Sequence, residues 1–202
     1  MNIAVLASGN GSNFEAIADA VKQGRIKACL KLLVTDKEDA YVRTRAKNFG
    51  VRDIFVSSKD HASRQDFDKA VVDILRKEDI GLVVLAGFMR IITPLFVDAF
   101  PNKILNIHPA LLPSFKGVDS IKEAYAYGAK VTGVTVHFVD EQTDHGPVII
   151  QQAVAIEPGQ ALEALEEKIH QVEHKLYPEA IRLFVDGKLR VSGRKVVITD
   201  LD

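Results

Sequence analysis

Ile3-Ala4-Val5-Leu6-Ala7-Ser8-Gly9-Asn10-Gly11-Ser12-Asn13-Phe14 is the stretch that decides the fold. Residues 3–7 are apolar without a break, which reads as a strand buried on both faces. The run stops at the turn formers Ser8 to Asn13, and Phe14, Ile17 and Val21 then recur at helical spacing up to Gly24. Working outward, residues 30–34 read as a second strand and 54–56 as a third. Ser63-Arg64-Gln65-Asp66 fits a capping box and opens a helix with Phe67, Ala70, Val71, Ile74 and Leu75 on one face. Residues 82–86 and 104–108 are a fourth and a fifth strand. Strands alternating with helices, several too uniformly apolar to have a wet face, predict a Rossmann-like α/β fold: a mostly parallel sheet with helices on both faces.

After Pro109 the pattern changes. Val134, Val136 and Phe138 alternate with Thr135, His137 and Val139, and residues 148–150 follow a short acidic loop, so an antiparallel hairpin is expected at the sheet edge. From Gln160 to about Val185 a long helix repeats Leu162, Leu165, Ile169, Val172 and Leu176, with a kink expected at Pro178. Residues 196–198 read as a terminal strand. With no repeat, low-complexity tract or linker, residues 1–202 are read as a single domain, 1–100 a nucleotide- and phosphate-binding half and 101–202 a catalytic half.

The chain of 202 residues is 47% hydrophobic and 26% charged, which excludes wholesale disorder. Lys and Arg number 26 against 27 Asp and Glu, so net charge gives no reason to expect nucleic acid or an anionic membrane as partner. The single cysteine, Cys29, cannot form an internal disulfide and suits a reducing cytosol. No apolar run approaches a membrane span and the first residues carry no leader pattern, so a cytoplasmic location is expected.

Open α/β sheets bind ligands beyond the carboxyl ends of their strands. In the turn after the first strand, two glycines let the backbone approach a ligand, and the free N–H groups of the helix start favour an anion such as phosphate. Ser12 and Asn13 add hydrogen-bonding side chains; the plainer reading is a turn with Ser12 as N-cap. A dinucleotide fingerprint needs Gly or Ala where this chain has Phe14, which disfavours NAD. In Leu105-Asn106-Ile107-His108-Pro109, Asn106 and His108 share one face of a strand that Pro109 ends. An amide donor beside an imidazole suits stabilising an oxyanion and moving a proton; a buried pair bonded to loop backbone is the alternative.

The loop Asp140-Glu141-Gln142-Thr143-Asp144-His145-Gly146-Pro147 carries three carboxylates. A solvated loop is the ordinary fate of such a run, but one carboxylate could reach His108 and favour its charged form, and spacing does not choose between Asp140, Glu141 and Asp144. Arg64 stands in a first helical turn, where the dipole disfavours a cation; it is either solvated or meets an acidic ligand tail. His170-Gln171-Val172-Glu173-His174 matches a zinc-peptidase pattern but lacks a third ligand. Val172 is assigned to the core seam, and His170, Glu173 and His174 to the exposed side or to a polar small-molecule site. His137 and His61 show nothing beyond strand or surface positions.

Four segments together carry a resemblance: residues 8–13, Ala86-Gly87-Phe88-Met89-Arg90, Asn106-Ile107-His108-Pro109-Ala110-Leu111-Leu112-Pro113 and residues 133–147. In this order, over residues 1 to 187, the chain resembles the phosphoribosylglycinamide formyltransferase family of the folate-dependent formyltransferase superfamily. The resemblance implies transfer of a formyl group from 10-formyltetrahydrofolate, as co-substrate, to the amine of glycinamide ribonucleotide, with no metal and no nicotinamide. It implies that Gly11, Ser12 and Asn13 hold the phosphate, with His170 and Glu173 on the rest of the ribonucleotide. His108 is then the general acid, Asn106 the oxyanion donor and Asp144 the carboxylate that favours charged His108. Met89, Arg90, Ile91, Ile92 and Asn106 line the folate pocket, the loop with Asp140, Glu141 and Asp144 closes over the pterin, and Arg64 meets the glutamate tail. Thr135 stands where family members often have Ser, and His170 where several have Gln; both keep a polar group. The implied partners are small molecules, not nucleic acid or membrane, and a homodimer stays open.

A formyltetrahydrofolate hydrolase of the same superfamily and a non-catalytic nucleotide-binding module are the rivals. The hydrolase normally carries an N-terminal regulatory domain, whereas here the first strand begins near residue 2. A binding module leaves Asn106, His108 and Asp144 without a purpose.

Overall fold

The computed structural model describes residues 1–199. They fall into two compact units, Met1–Asn106 and the described residues from Ile107 onward. In the first, β1 (Asn2–Leu6), α1 (Ser12–Lys22), β2 (Cys29–Thr35), α2 (Val42–Asn48), β3 (Arg52–Phe55), α3 (Arg64–Lys77), β4 (Leu82–Leu85), α4 (Pro94–Ala99) and β5 (Ile104–His108) alternate. The last two residues of β5 belong to the second unit. The strands lie in the order β3-β2-β1-β4-β5 and every pairing is parallel. That order requires crossovers, which the helices supply, and β1 and β4 are buried on both faces as their unbroken apolar runs demand.

Helix α1 buries Phe14, Ile17, Ala18 and Ala20, close to the expected stripe. Its N-cap is Gly11, in the left-handed region at φ 79°, and not Ser12. A Cβ on residue 11 would come within 2.4 Å of Val42 Cγ2, so α2 packs where only glycine fits. Helix α3 is capped as predicted: Ser63 Oγ accepts from Asp66 N–H at 3.1 Å. Its buried stripe is Phe67, Asp68, Val71, Val72 and Leu75, rotated from the expected one to include a carboxylate. Asp68 Oδ2 accepts the Thr93 N–H at 2.6 Å at the start of α4, so a buried carboxyl group satisfies a helix-end donor. Helices α2 and α4, with seven and six residues, are too short to show a period in the sequence. Pro94 at the first helical position was the available signal for α4.

The second unit holds α5 (Ser120–Tyr127), β6 (Val131–Phe138), β7 (Val148–Ala155), α6 (Leu162–Val185), β8 (Leu189–Ser192) and β9 (Lys195–Ile198). The predicted hairpin is β6–β7, antiparallel and eight residues on each side, longer than the sequence pattern showed. It does not form the edge of its unit: β9 pairs with β7 in parallel and β8 follows, a second hairpin beyond the first. The alternation in β6 does not mark a wet face either, because Thr132 through Phe138 are all buried. Thr135 is placed there by use, since its hydroxyl donates to the Ala110 carbonyl at 2.7 Å and accepts from Leu112 N–H at 3.1 Å. Helix α6 lies against β6 and β7. Its seam is Leu165, Ile169, Glu173, Tyr177 and Ile181, a four-residue step, and Val172 and Leu176 lie to one side of it, correcting the assignment of Val172 to the core. Pro178 is inside the helix without ending it.

The chain therefore has an α/β fold with a mostly parallel sheet flanked by helices, an antiparallel strand pair and a long C-terminal helix. Among the described residues no helix is long and apolar enough to cross a membrane.

Candidate functional site

In the first unit the turn after β1 is held from below by side chains. Ser8 Oγ donates to Asp36 Oδ1 at 2.6 Å and accepts the Met89 N–H at 2.9 Å, using both capacities of one buried hydroxyl. Arg45 on α2 donates to the Asn10 carbonyl at 3.0 Å and to Asn10 Oδ1 at 2.9 Å, and pairs with Glu15 on α1. Gly11 caps α1, and Ser12 and Asn13 open its first turn, partly exposed, where the helix dipole favours an anion.

The segment after β4 forms a second site in the same unit. Met89 and Ile91 are apolar yet 66% and 58% exposed, whereas Ile92 is buried. The Arg90 guanidinium covers the Phe67 ring at 4.2 Å, and Phe67 stands one helical turn from Arg64, which begins α3. Exposed apolar side chains with two arginines nearby can take a flat ring with an acidic tail. Asn106, partly exposed, completes the predicted residues of this unit on β5.

The second unit gathers three ionisable groups that the sequence separates. His108, only 4% exposed, sets Nδ1 3.4 Å from Asp144 Oδ2. Its Nε2 lies 2.7 Å from the Phe115 carbonyl. Each ring nitrogen thus faces one oxygen acceptor. Asp144 Oδ2 also accepts the Gly117 N–H at 3.0 Å, and Oδ1 faces His137 Nε2 at 3.8 Å. Burial pushes the Asp144 carboxyl up, but His137, the Gly117 N–H and the positive charge of the two imidazoles outweigh it and hold the group below its ordinary value. Asp144 therefore stays ionised in a nearly dry place.

His137 corrects the sequence reading, which gave it nothing beyond its strand position. It is 1% exposed, and its Nδ1 donates to the Phe138 carbonyl at 2.7 Å. The alternating pattern of β6 hid it, because the face it occupies is buried. Of the three loop carboxylates, Asp144 alone meets His108. Asp140 bonds His145 Nδ1 at 2.7 Å, and Glu141 is exposed. Gly146 is fixed by space, because a Cβ there would fall 1.9 Å from the Phe138 carbonyl oxygen.

On α6, Glu173 is buried and His170 exposed, joined by a 2.8 Å contact from His170 Nδ1. The hydrogen bond to Glu173 raises the His170 pKa, against burial, which lowers it; the charges of Glu173 and Glu166 add to the rise. The His170 and His174 rings stack with centroids 6.4 Å apart. Of the two readings open for these three polar residues, the exposed side fails for Glu173, which occupies the core seam. Among the described residues no group of three or more His, Cys, Asp or Glu is placed to hold a metal ion.

A parallel α/β sheet with a strand–turn–helix after its first strand, together with a buried acid–imidazole pair, is the pattern of a Rossmann-like transferase. The chain belongs to the formyl transferase family, whose sequence pattern matches residues 1–181. The phosphoribosylglycinamide formyltransferase of Bacillus subtilis is 44% identical over 179 residues, 89% of this chain and 92% of that protein. The trifunctional purine biosynthetic protein adenosine-3 of Chironomus tentans is 40% identical over 95% of this chain, which spans only 14% of that longer protein. The crystal structure of glycinamide ribonucleotide transformylase 1 from Symbiobacterium toebii superposes with a TM-score of 0.97 at 44% identity, covering 99% of this chain and 94% of that one.

Proposed function

We propose that this chain transfers the formyl group of 10-formyltetrahydrofolate to the amine of glycinamide ribonucleotide, giving formylglycinamide ribonucleotide and tetrahydrofolate in purine synthesis. The observation that carries the reading is buried His108, with an oxygen acceptor at each ring nitrogen and an ionised Asp144 beside it.

The amine nitrogen bonds to the formyl carbon, and its C=O pair moves onto oxygen. Asn106 donates its amide N–H to that oxyanion, and His108 supplies the second, charged donor. Preorganised donors of this kind contribute roughly 2.7–4 kcal/mol each. Asp144 keeps the imidazole charged and oriented. The bond from carbon to the folate nitrogen then breaks, and the proton lost by the amine reaches that nitrogen, with His108 the group that can carry it. The Phe115 carbonyl now holds the Nε2 proton, so this acceptor must yield to substrate before His108 can donate. Phe115 has a left-handed backbone at φ 49°, a conformation that costs energy in a non-glycine residue and makes the exchange cheaper.

In this reading Gly11, Ser12 and Asn13 bind the ribonucleotide phosphate, and His170 and Glu173 its glycinamide end. Met89, Arg90, Ile91, Ile92 and Asn106 take the folate ring, Arg64 its acidic tail, and the loop with Asp140, Glu141 and Asp144 covers the pterin. Protein mixed with 10-formyltetrahydrofolate and glycinamide ribonucleotide tests this by the absorbance of deformylated folate. Product only when ribonucleotide is present supports the transferase. Product without it means hydrolysis, and no product from folded protein means a binding module.

A further inference from the structure

The hairpin β8–β9 lies beyond residues 1–181, the stretch that matches the family, and none of the roles above uses it. Its turn is Gly193-Arg194, directly before Lys195, which pairs with Val148 at the foot of the acidic loop. Arg194 Nη2 donates to the His145 carbonyl at 2.6 Å. Its Nη1 lies 3.2 Å and 3.1 Å from the two nitrogens of the His145 ring. Such even spacing sets the guanidinium against the ring as a whole and not on one lone pair. The same imidazole bonds Asp140 Oδ2 through Nδ1 at 2.7 Å, and Asp140 Oδ1 accepts the Gln142 N–H at 3.0 Å.

We propose that the β8–β9 hairpin is a brace for the loop that carries Asp144, with Arg194 a positioning residue acting through His145. The need for a brace is local. Asp144 has a left-handed backbone at φ 47°, one of several conformations open to an unsupported loop, and its carboxylate must stay aimed at His108. The neighbouring residue, His145, is gripped at its carbonyl and at its ring by one planar guanidinium, while Asp140 fixes the ring from the other end of the loop. Arginine suits the task because a rigid planar fork donates from two separate nitrogens, whereas an ammonium donates from one. Arg194 touches neither reacting atoms nor Asp144; it sets where the peptide after Asp144 lies.

This inference rests on the proposed role of Asp144, so its test needs one readout that does not depend on turnover. Hydrogen exchange of the amides of residues 140–147 supplies it, measured on the full chain and on Arg194→Ala, Arg194→Lys and Arg190→Ala. Loss of a charge-assisted bond should speed exchange in that loop roughly tenfold in Arg194→Ala. The same variant should lose roughly 10- to 100-fold in kcat, because misplacing a catalytic group by about an ångström costs that much, with KM for ribonucleotide little changed. Arg194→Lys should fall between it and the unmodified chain in both readouts. Arg190→Ala, which removes another exposed hairpin cation, should change neither. Arg194→Ala with unaltered loop exchange or unaltered kcat overturns the brace. If alanine melts the unit, Arg194→Lys decides by the same two readouts. An unmodified chain without transferase activity defeats the functional reading, and exchange still decides the brace.

Discussion

Between Leu6 and Ser12 the polar surface is backbone; between Phe138 and Val148 it is side chain. The turn after β1 presents N–H groups of a helix start, with Ser8, Asp36 and Arg45 beneath it as scaffolding. No group in that turn has to change protonation to bind an anion. The loop after β6 presents Asp144, a carboxylate with two imidazoles beside it. The first design is sensitive to shape, the second to charge, and substitutions separate them.

The largest effect should come from charge. His108→Ala and Asp144→Asn should each lower turnover by about 100-fold or more, the range of a lost acid or oxyanion donor, while the melting transition survives. Near-normal turnover in both would remove the catalytic reading. Gly11→Ala should act by shape, raising KM for ribonucleotide and destabilising the fold. The left-handed backbone alone costs about 1–2 kcal/mol, and the Val42 overlap adds to it; denaturant melts check the sum.

Stability against pH sharpens the contrast. Asp144 has a depressed pKa, so its contribution is present above the ordinary carboxylate value and lost as pH falls through the folded one. The Tm gap between the unmodified chain and Asp144→Asn should therefore be full near about pH 6 and close in acid, whereas Gly11→Ala should keep its gap across the range. Smallest is His170, half exposed and raised. Its contribution is present below the ordinary imidazole value and lost as pH rises through the folded one, so His170→Gln should differ slightly at about pH 6 and not at about pH 9.

The same contrast governs what the sequence made legible. Backbone features announce themselves locally: the strand–turn–helix at residues 3–14, the Ser63 cap and the β5 pair Asn106 and His108 are all readable from neighbours in the chain. Contacts between distant residues do not. Spacing left Asp140, Glu141 and Asp144 equal, and only the family resemblance chose Asp144, because reach depends on a loop path set by Gly146 and a left-handed residue. His137 was passed over because alternation in β6 imitates a wet face that burial removes. Glu173 was left between the exposed side and a small-molecule site because a carboxylate in a helix seam contradicts the hydrophobic rule that located the seam. Short α2 and α4 carry too few turns to print a period, yet α2 supplies the wall that makes Gly11 obligatory.

The backbone at Asp144 also acts as a filter on replacements. At φ 47° Gly, Asn and Asp are the least strained, and β-branched residues are nearly barred. Two independent sieves thus overlap at one codon, one of conformation and one of charge. A library randomised at this position and sorted first for folding, then for growth that depends on its own transferase activity, should first be enriched in that trio and then narrow to aspartate.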